Sequence, residues 1–235
     1  MVRLDRFVSQ ATGMSRSQAR DLIRRGGIEV DGVVCRQAAF QLGGDQSVVH
    51  QGQALHLPES LYLMLNKPRG LLSANSDGRQ ATVMTLFPPA LARRLHLVGR
   101  LDKDTSGLLL LTDDGAWSHR IASPVHACAK TYRAELAQPL CADAEQRLAA
   151  GLSLRSETRP TRPAEIERLG LQTVRITITE GRYHQVRRMF AALGNRVTAL
   201  HRESVGGLVL DAALAPGQWR SLSAAERDAL ADVAR

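Results

Sequence analysis

The sequence predicts an α+β protein in two parts. A small module of two helices and a little sheet spans residues 1–58, and a larger mixed, mostly antiparallel α+β domain spans 59–235. Three observations predict this. Two short amphipathic helices run directly into an Asp-Gly hairpin. Pro58-Glu59-Ser60, after a stretch loosened by Gly43, Gly44 and Gly52, has the composition of a boundary. Beyond it, strands and helices intersperse without the regular rhythm that a doubly wound sheet needs. A chain of 235 residues that is 44% hydrophobic can fill a core in each part.

Leu4, Phe7, Val8 and Ala11 recur at helical spacing over residues 3–12, and Gly13 stops that helix. Ser15 with Gln18 forms a capping box for a second helix, closed by Gly26-Gly27. Its apolar face is Ala19, Leu22 and Ile23; beside it Arg16, Arg20 and Arg24 follow at i+4 steps. Such a ladder of like charges costs a few tenths of a kcal/mol per pair, which an anion would offset. The only acid of the helix, Asp21, lies off the ladder in sequence. The reading is a nucleic-acid backbone contact, with Arg3 and Arg25 in the same set; the alternative is a solvated basic face. Ile28-Glu29-Val30, Asp31-Gly32 and Val33-Val34 then read as a hairpin with a type I′ turn.

In the larger domain, residues 61–65 read as a strand, and Asn66-Lys67-Pro68-Arg69-Gly70 as a turn carrying two positive charges. Residues 75–94 read as loop and then a short helix. His96 to Gly115 set a polar, glycine-bounded loop between two apolar runs, with Leu108 to Leu111 as a buried strand before the Asp113-Asp114-Gly115 turn. Residues 116–121 form a short helix ended before Ser123-Pro124. Residues 130–136 form a strand with Tyr132, Ala134 and Leu136 on one face, and 141–152 a polar helix. Residues 173–179 form a half-buried strand with Val174, Ile176 and Ile178 inward. A helix follows Gly181 with Val186, Met189, Phe190 and Leu193 as its core stripe and Gly194 at its end. Ser223 and Glu226 make another capping box, opening a helix that runs toward Arg235.

The formal net charge is +8, which points to a polyanionic partner through counterion release. Cys35, Cys128 and Cys141 contain no C-x-x-C pair, so neither a disulfide framework nor a zinc site is expected. The sequence holds no Walker loop, dinucleotide fingerprint or metal-ligand cluster, and no cofactor or metal is expected. Charged residues occupy the place of a signal peptide's apolar core, and no run of about 18 apolar residues occurs. A cytoplasmic monomer without membrane contact is the expectation.

For chemistry, Asp102 sits in a loop held between buried strands, Tyr132 on a strand, and Arg187 near a helix start. An acid, an aromatic ring and a guanidinium suit work on the sugar and base of an extruded nucleotide. Asp104 is the other acid of that loop, and an Asp102–Asp104 pair would instead suggest a hydrolytic glycosidase. A non-catalytic RNA-binding assembly factor would need only the basic module and the charge.

Arg3-Leu4-Asp5-Arg6-Phe7, Ser15-Arg16-Ser17-Gln18-Ala19 and Gly27-Ile28-Glu29-Val30-Asp31-Gly32 resemble the S4 RNA-binding domain. Gly99-Arg100-Leu101-Asp102 and its continuation to Gly115 resemble the catalytic motif of the pseudouridine synthases. Asn66 to Gly70, Lys130-Thr131-Tyr132 and Gly181 to Met189 resemble that family's other motifs, in their usual order. The resemblance implies a pseudouridine synthase domain behind an S4-like domain, with Asp102 as catalytic aspartate, Tyr132 stacking on the base and Arg187 as the aspartate's basic partner. Arg188 is open to an exchange of roles with Arg187. Ile178 would be the apolar residue under the uracil, where the family often has leucine. Lys67, Arg69, Arg100, Arg182, His184 and Arg188 join the arginines of the first module as expected RNA contacts. The resemblance implies a ribosomal RNA substrate, uridine 516 of 16S rRNA in a partly assembled small subunit, with a large-subunit site as the alternative. Direct attack of Asp102 at C1′ and removal of the 2′ proton to give a glycal both remain open.

Overall fold

The computed structural model describes residues 1–232, and the chain divides into two compact units, Met1–Glu59 and Ser60–Arg235. Each is described by itself.

The first unit holds β1 (Val2–Arg3), α1 (Leu4–Thr12), α2 (Arg16–Arg24), β2 (Glu29–Val30), β3 (Val33–Val34), β4 (Gln41–Leu42), β5 (Val48–His50) and β6 (Gln53–Ala54). Gly13 ends α1 at φ +73°, and Ser15 opens α2 through a complete capping box. Asp31 and Gly32 both have positive φ, the geometry that a two-residue type I′ turn requires. Leu4 and Val8 pack on Ala19 and Ile23, and Ile28, Val30, Leu42 and Val48 close the core from the sheet side.

The second unit is built on one large sheet. Its strands are β7 (Tyr62–Lys67), β8 (His96–Val98), β9 (Ser106–Thr112), β10 (Lys130–Leu136), β11 (Glu165–Arg168), β12 (Thr173–Ile178), β13 (Val197–Val205), β14 (Leu208–Val209) and β15 (Trp219–Ser221). Its helices are α3 (Pro89–Ala92), α4 (Gly115–Ala122), α5 (Ala144–Ala150), α6 (Gln185–Ala192) and α7 (Ala224–Asp232). The sheet order is β11-β12-β10-β13-β9-β7-β15, with β8 beside β9 and β14 beside β13. All these pairings are antiparallel except β9 with β13.

Leu108 to Leu111 form an unbroken apolar run because β9 is covered on both faces. Leu109 and Leu111 join the core with Leu63, Leu65, Tyr132, Ile176, Ile178, Met189 and Phe190; Leu108 and Leu110 join a second core with Met64, Trp117, Ile121 and Leu230. Asp113-Asp114-Gly115 is a helix start rather than a free turn, since the Asp114 carboxylate accepts from the Ala116 and Trp117 amides. The stretch from Asn66 is also corrected: Asn66 and Lys67 complete β7, pairing with Leu108 and Gly107, and only Pro68 to Gly70 turn. Strands β11 and β13 go beyond the sequence reading. The Ser223–Glu226 capping box is present, while the expected course of its helix beyond residue 232 lies outside the described residues.

Candidate active site

A cleft of about 680 Å³ opens in the second unit. It is lined by the loop of residues 99–105, by side chains of β10, β12 and β13, and by residues 179–186, leading into α6. Asp102, Tyr132, Ile178, Arg100, Arg182 and His184 all line it. Lys67, Arg69, Arg187 and Arg188, also expected at the site, do not.

The loop carrying Asp102 is tied down from behind. Gly99 turns it at φ +74°, the Thr105 amide donates to Asp102 O (3.1 Å), and the Gly70 amide donates to Lys103 O (2.8 Å). The Ser73 hydroxyl donates to Leu101 O (2.7 Å) and accepts from the Leu101 amide (3.2 Å). Lys67 completes the anchor and corrects its expected role as an RNA contact. It is 0% exposed, and its ammonium donates to Pro68 O (2.9 Å), Thr105 O (3.0 Å) and Lys103 O (3.3 Å). A buried charge persists only if its donors are satisfied, and three carbonyls do that here. Burial lowers its pKa to about 8, against the opposing pull of Asp104 and Asp102. Arg69, two residues on, is exposed.

The ion pairs at Asp102 differ from the expectation. Arg187 donates to the Asp104 carboxylate at 2.9 Å and to Val197 O at 3.1 Å. The basic group beside Asp102 is His184, whose Nε2 lies 3.5 Å from Oδ1. Arg188 does not exchange roles with Arg187 either: it pairs with Glu157 (2.8 Å) and donates to the carbonyls of Tyr183 and Arg155. Arg182 is held by Glu180 and Glu157 and by the carbonyls of Arg159 and Pro160. His184 sits at φ +47° as the residue before α6, a strained position for a side chain with a Cβ. That backbone turn stacks its ring on Tyr183, centroids 4.0 Å apart, with Tyr183 77% exposed at the rim.

Tyr132 and Ile178 are buried side by side, since β10 and β12 pair Tyr132 with Ile176 and Lys130 with Ile178. A flat aromatic face and a branched apolar side chain suit the two faces of a pyrimidine. Arg202 was missed by sequence reasoning. It faces inward on β13 opposite Tyr132, is 2% exposed, lines the cleft, and donates through Nε to Leu108 O at 2.7 Å. The available signal was a charged residue between Leu200 and Val205, where an inward position calls for an apolar one.

In the first unit the ladder reading is corrected. Asp5, fully buried on α1, accepts from Arg3 (3.0 Å), Arg16 (3.2 Å) and Arg20 (3.0 Å). These guanidiniums, Arg3's bond first, hold the Asp5 carboxyl well below the usual carboxylate range, against the cost of burial. The offsetting anion of Arg16 and Arg20 is thus the protein's own. Arg24 lies 3.8 Å from Asp21, so that acid is not off the ladder in space. Arg16, Arg20, Arg24 and Arg25 nevertheless remain exposed.

A family model described as RNA pseudouridylate synthase matches residues 61–192, and a model of the S4 domain matches residues 2–48. The chain is 45% identical over 230 residues to the ribosomal small subunit pseudouridine synthase A of Haemophilus influenzae, covering 97% of this chain and 99% of that one. It is 47% identical over 228 residues to the protein of the same name from Escherichia coli (strain K12), covering 96% and 98%. A crystal structure of a pseudouridylate synthase superposes with a TM-score of 0.72 at 44% identity, covering 98% of this chain and 100% of that one. The chain therefore belongs to the RNA pseudouridylate synthase family, as an isomerase with an S4 domain ahead of its catalytic domain.

Proposed function

We propose that this protein isomerises one uridine of the small-subunit ribosomal RNA, at position 516 of the 16S rRNA, acting as a cytoplasmic monomer on a partly assembled subunit. The observation that carries the reading is that its similarity to two synthases named for the small ribosomal subunit runs through both units and nearly the full length of each. The exposed arginines of the first unit supply affinity for phosphate, and the cleft of the second takes the flipped uridine.

In the cleft, Asp102 acts on the sugar, by attack at C1′ or by removal of the 2′ proton. Tyr132 stacks on the uracil, and Ile178 packs against it from the strand beside. His184 is the basic side chain next to Asp102; Arg187 acts one step removed, holding Asp104 and with it the loop. Arg69, Arg100 and Arg182 contact the RNA around the cleft. The isomerisation has no redox change and consumes no water, so these residues meet its chemical needs without a cofactor.

Mapping pseudouridines in cells lacking the protein tests the substrate. Loss of the 16S modification is expected. Loss of a 23S modification with 16S rRNA unaltered would overturn the substrate and leave the reaction intact. On isolated rRNA, release of tritium from C5-labelled uridine separates isomerisation from hydrolysis, which frees uracil, and from binding, which frees neither.

A further inference from the structure

Arg202 carries more than packing. Its Nε is satisfied by Leu108 O, but its Nη2 is buried and has no hydrogen-bond partner among the described residues. Lys130 lies two positions from Tyr132 on the same face of β10, lines the same cleft, and donates to Cys128 O at 2.7 Å. The ionisable groups acting on Lys130 are the buried Cys128 thiol and the Arg202 guanidinium, with no carboxylate among them; burial, more than Arg202, pushes its pKa down. A buried guanidinium and a half-buried ammonium group therefore flank the Tyr132–Ile178 pocket and act on each other, with no carboxylate acting on Lys130 among the described residues. A neutral uracil does not require this, whereas an anionic one would relieve it.

The reaction makes such an anion. When the C1′–N1 bond breaks, its electron pair goes to N1, and the detached uracil carries a negative charge delocalised over N1, O2 and O4. On the sugar side, Asp102 either bonds to C1′ or takes the 2′ proton. C5 then forms the new bond to C1′ as the Asp102–C1′ bond breaks or, on the glycal route, as Asp102 returns the proton to C2′; the C5 proton leaves and N1 gains a proton, so atoms and electrons balance without a co-reactant. We propose that Arg202, with Lys130 beside it, is a catalytic residue that holds the detached uracil as its anion, the guanidinium donating to a uracil carbonyl. This rests on the placement of the uracil against Tyr132 and Ile178. Arg202 lies outside the segment matched by the family model.

The test compares uridine-containing and 5-fluorouridine-containing small-subunit rRNA, with single-turnover rearrangement followed by nuclease digestion and mass spectrometry. Fluorine withdraws electrons and stabilises the departing anion, so the fluorinated substrate needs the cation less. Arg202→Met should lower the rate on the order of 100-fold on uridine RNA. On fluorouridine RNA the loss should be smaller by roughly tenfold. RNA affinity should be unchanged, and Arg202→Lys should recover part of the uridine rate. Because Arg202 also ties β13 to Leu108, Lys130→Met serves as the second variant; it leaves that tie intact and should show the same difference between substrates at a smaller size. Equal losses on the two RNAs in both variants would overturn the assignment. So would a loss confined to RNA affinity with a shallower salt dependence, which marks a phosphate contact. Tyr132→Ala, run alongside, isolates the site reading: near-wild-type turnover there would remove the uracil from this pocket, whereas failure of the Arg202 assignment alone leaves that variant impaired.

Discussion

The guanidinium of Arg187 is bonded to Asp104, two residues past the aspartate at the cleft, and reaches Asp104 Oδ2 at 2.9 Å. The two acids of the loop are thereby separated in use, one facing the cleft and one clamped to α6. Asp102→Asn should keep fold and RNA affinity and abolish tritium release, because the charge proposed to act on the sugar is gone. Asp104→Asn should lower the rate by about tenfold through loss of loop placement. Arg187→Met should cost a similar amount, and the double variant little more, since both changes break one ion pair. Residual turnover near wild type in Asp102→Asn, with none in Asp104→Asn, would reverse the two roles.

Lys67 sets a pH dependence of stability. Its pKa of about 8 in the fold lies below its ordinary 10.5, so below pH 8 folded and unfolded chains are both protonated and the cost of burying the charge is fully present. Between those values the unfolded chain binds more protons, and the residue's contribution to stability rises with pH. The melting temperature of the wild type relative to Lys67→Met should therefore climb from about pH 7 to about pH 10. A difference that stays flat or declines would count against the assignment. Lys67→Met should also reduce kcat by at least about tenfold, because the Asp102 loop loses the bonds donated to Lys103 O and Thr105 O, while RNA affinity stays put.

In the first unit, Asp5→Asn should destabilise the fold by about 1–3 kcal/mol through the loss of charge-assisted hydrogen bonds. The Asp5 pKa is depressed, so this contribution is present above the ordinary carboxylate range and is lost as pH falls through the folded-state value. Urea titrations at neutral pH and in acid should show the gap between wild type and variant closing. The RNA role of the arginines needs a separate measurement. Replacing Arg16, Arg20 and Arg24 with Gln should flatten the salt dependence of rRNA binding, its slope falling by about 0.7 to 0.9 for each phosphate that is no longer neutralised. An unchanged slope in protein shown to be folded would remove them from the RNA face.

Gly107 sits at φ +106°, and a Cβ there would lie 2.3 Å from Arg202 O and 2.6 Å from Arg202 N. Neither backbone atom can give way without parting β9 from β13. Gly107→Ala should cost at least about 2 kcal/mol, read as a lower melting temperature. It should also disturb Arg202 and so reduce turnover in whatever protein remains folded.

Much of this architecture was legible because periodicity and capping are local. The two N-terminal helices, the type I′ turn, the inward faces of residues 130–136 and 173–178, and the core stripe of α6 all follow from residues within a turn or a strand of each other. Strand β13 was not legible, because irregular register near Tyr132 and Glu135 on its partner β10 breaks simple alternation, leaving Val197, Leu200, Arg202 and Val205 unevenly spaced inward. Lys67 read as a turn residue because Pro68 follows it and because lysine rarely ends a buried strand. The partners of the loop acids were beyond sequence reasoning for a different reason: Asp102 and Asp104 are almost equally distant in sequence from α6, and only the path of the loop decides which meets Arg187. The same holds for Asp5, whose arginines come together only when α1 and α2 pack.

The parallel pairing of β9 with β13 sets a timetable for the nascent chain. The first unit has its own core within residues 1–59, whereas the cleft needs β13, whose last residue is Val205. At ribosomal synthesis rates of about 5–20 residues per second, roughly 7 to 30 s separate emergence of the two. Domains fold as they emerge, N-terminal first. During that interval the arginine-bearing unit can fold on a chain whose cleft is still open along β9, waiting for β13 to pair there across a sequence separation of 95 residues.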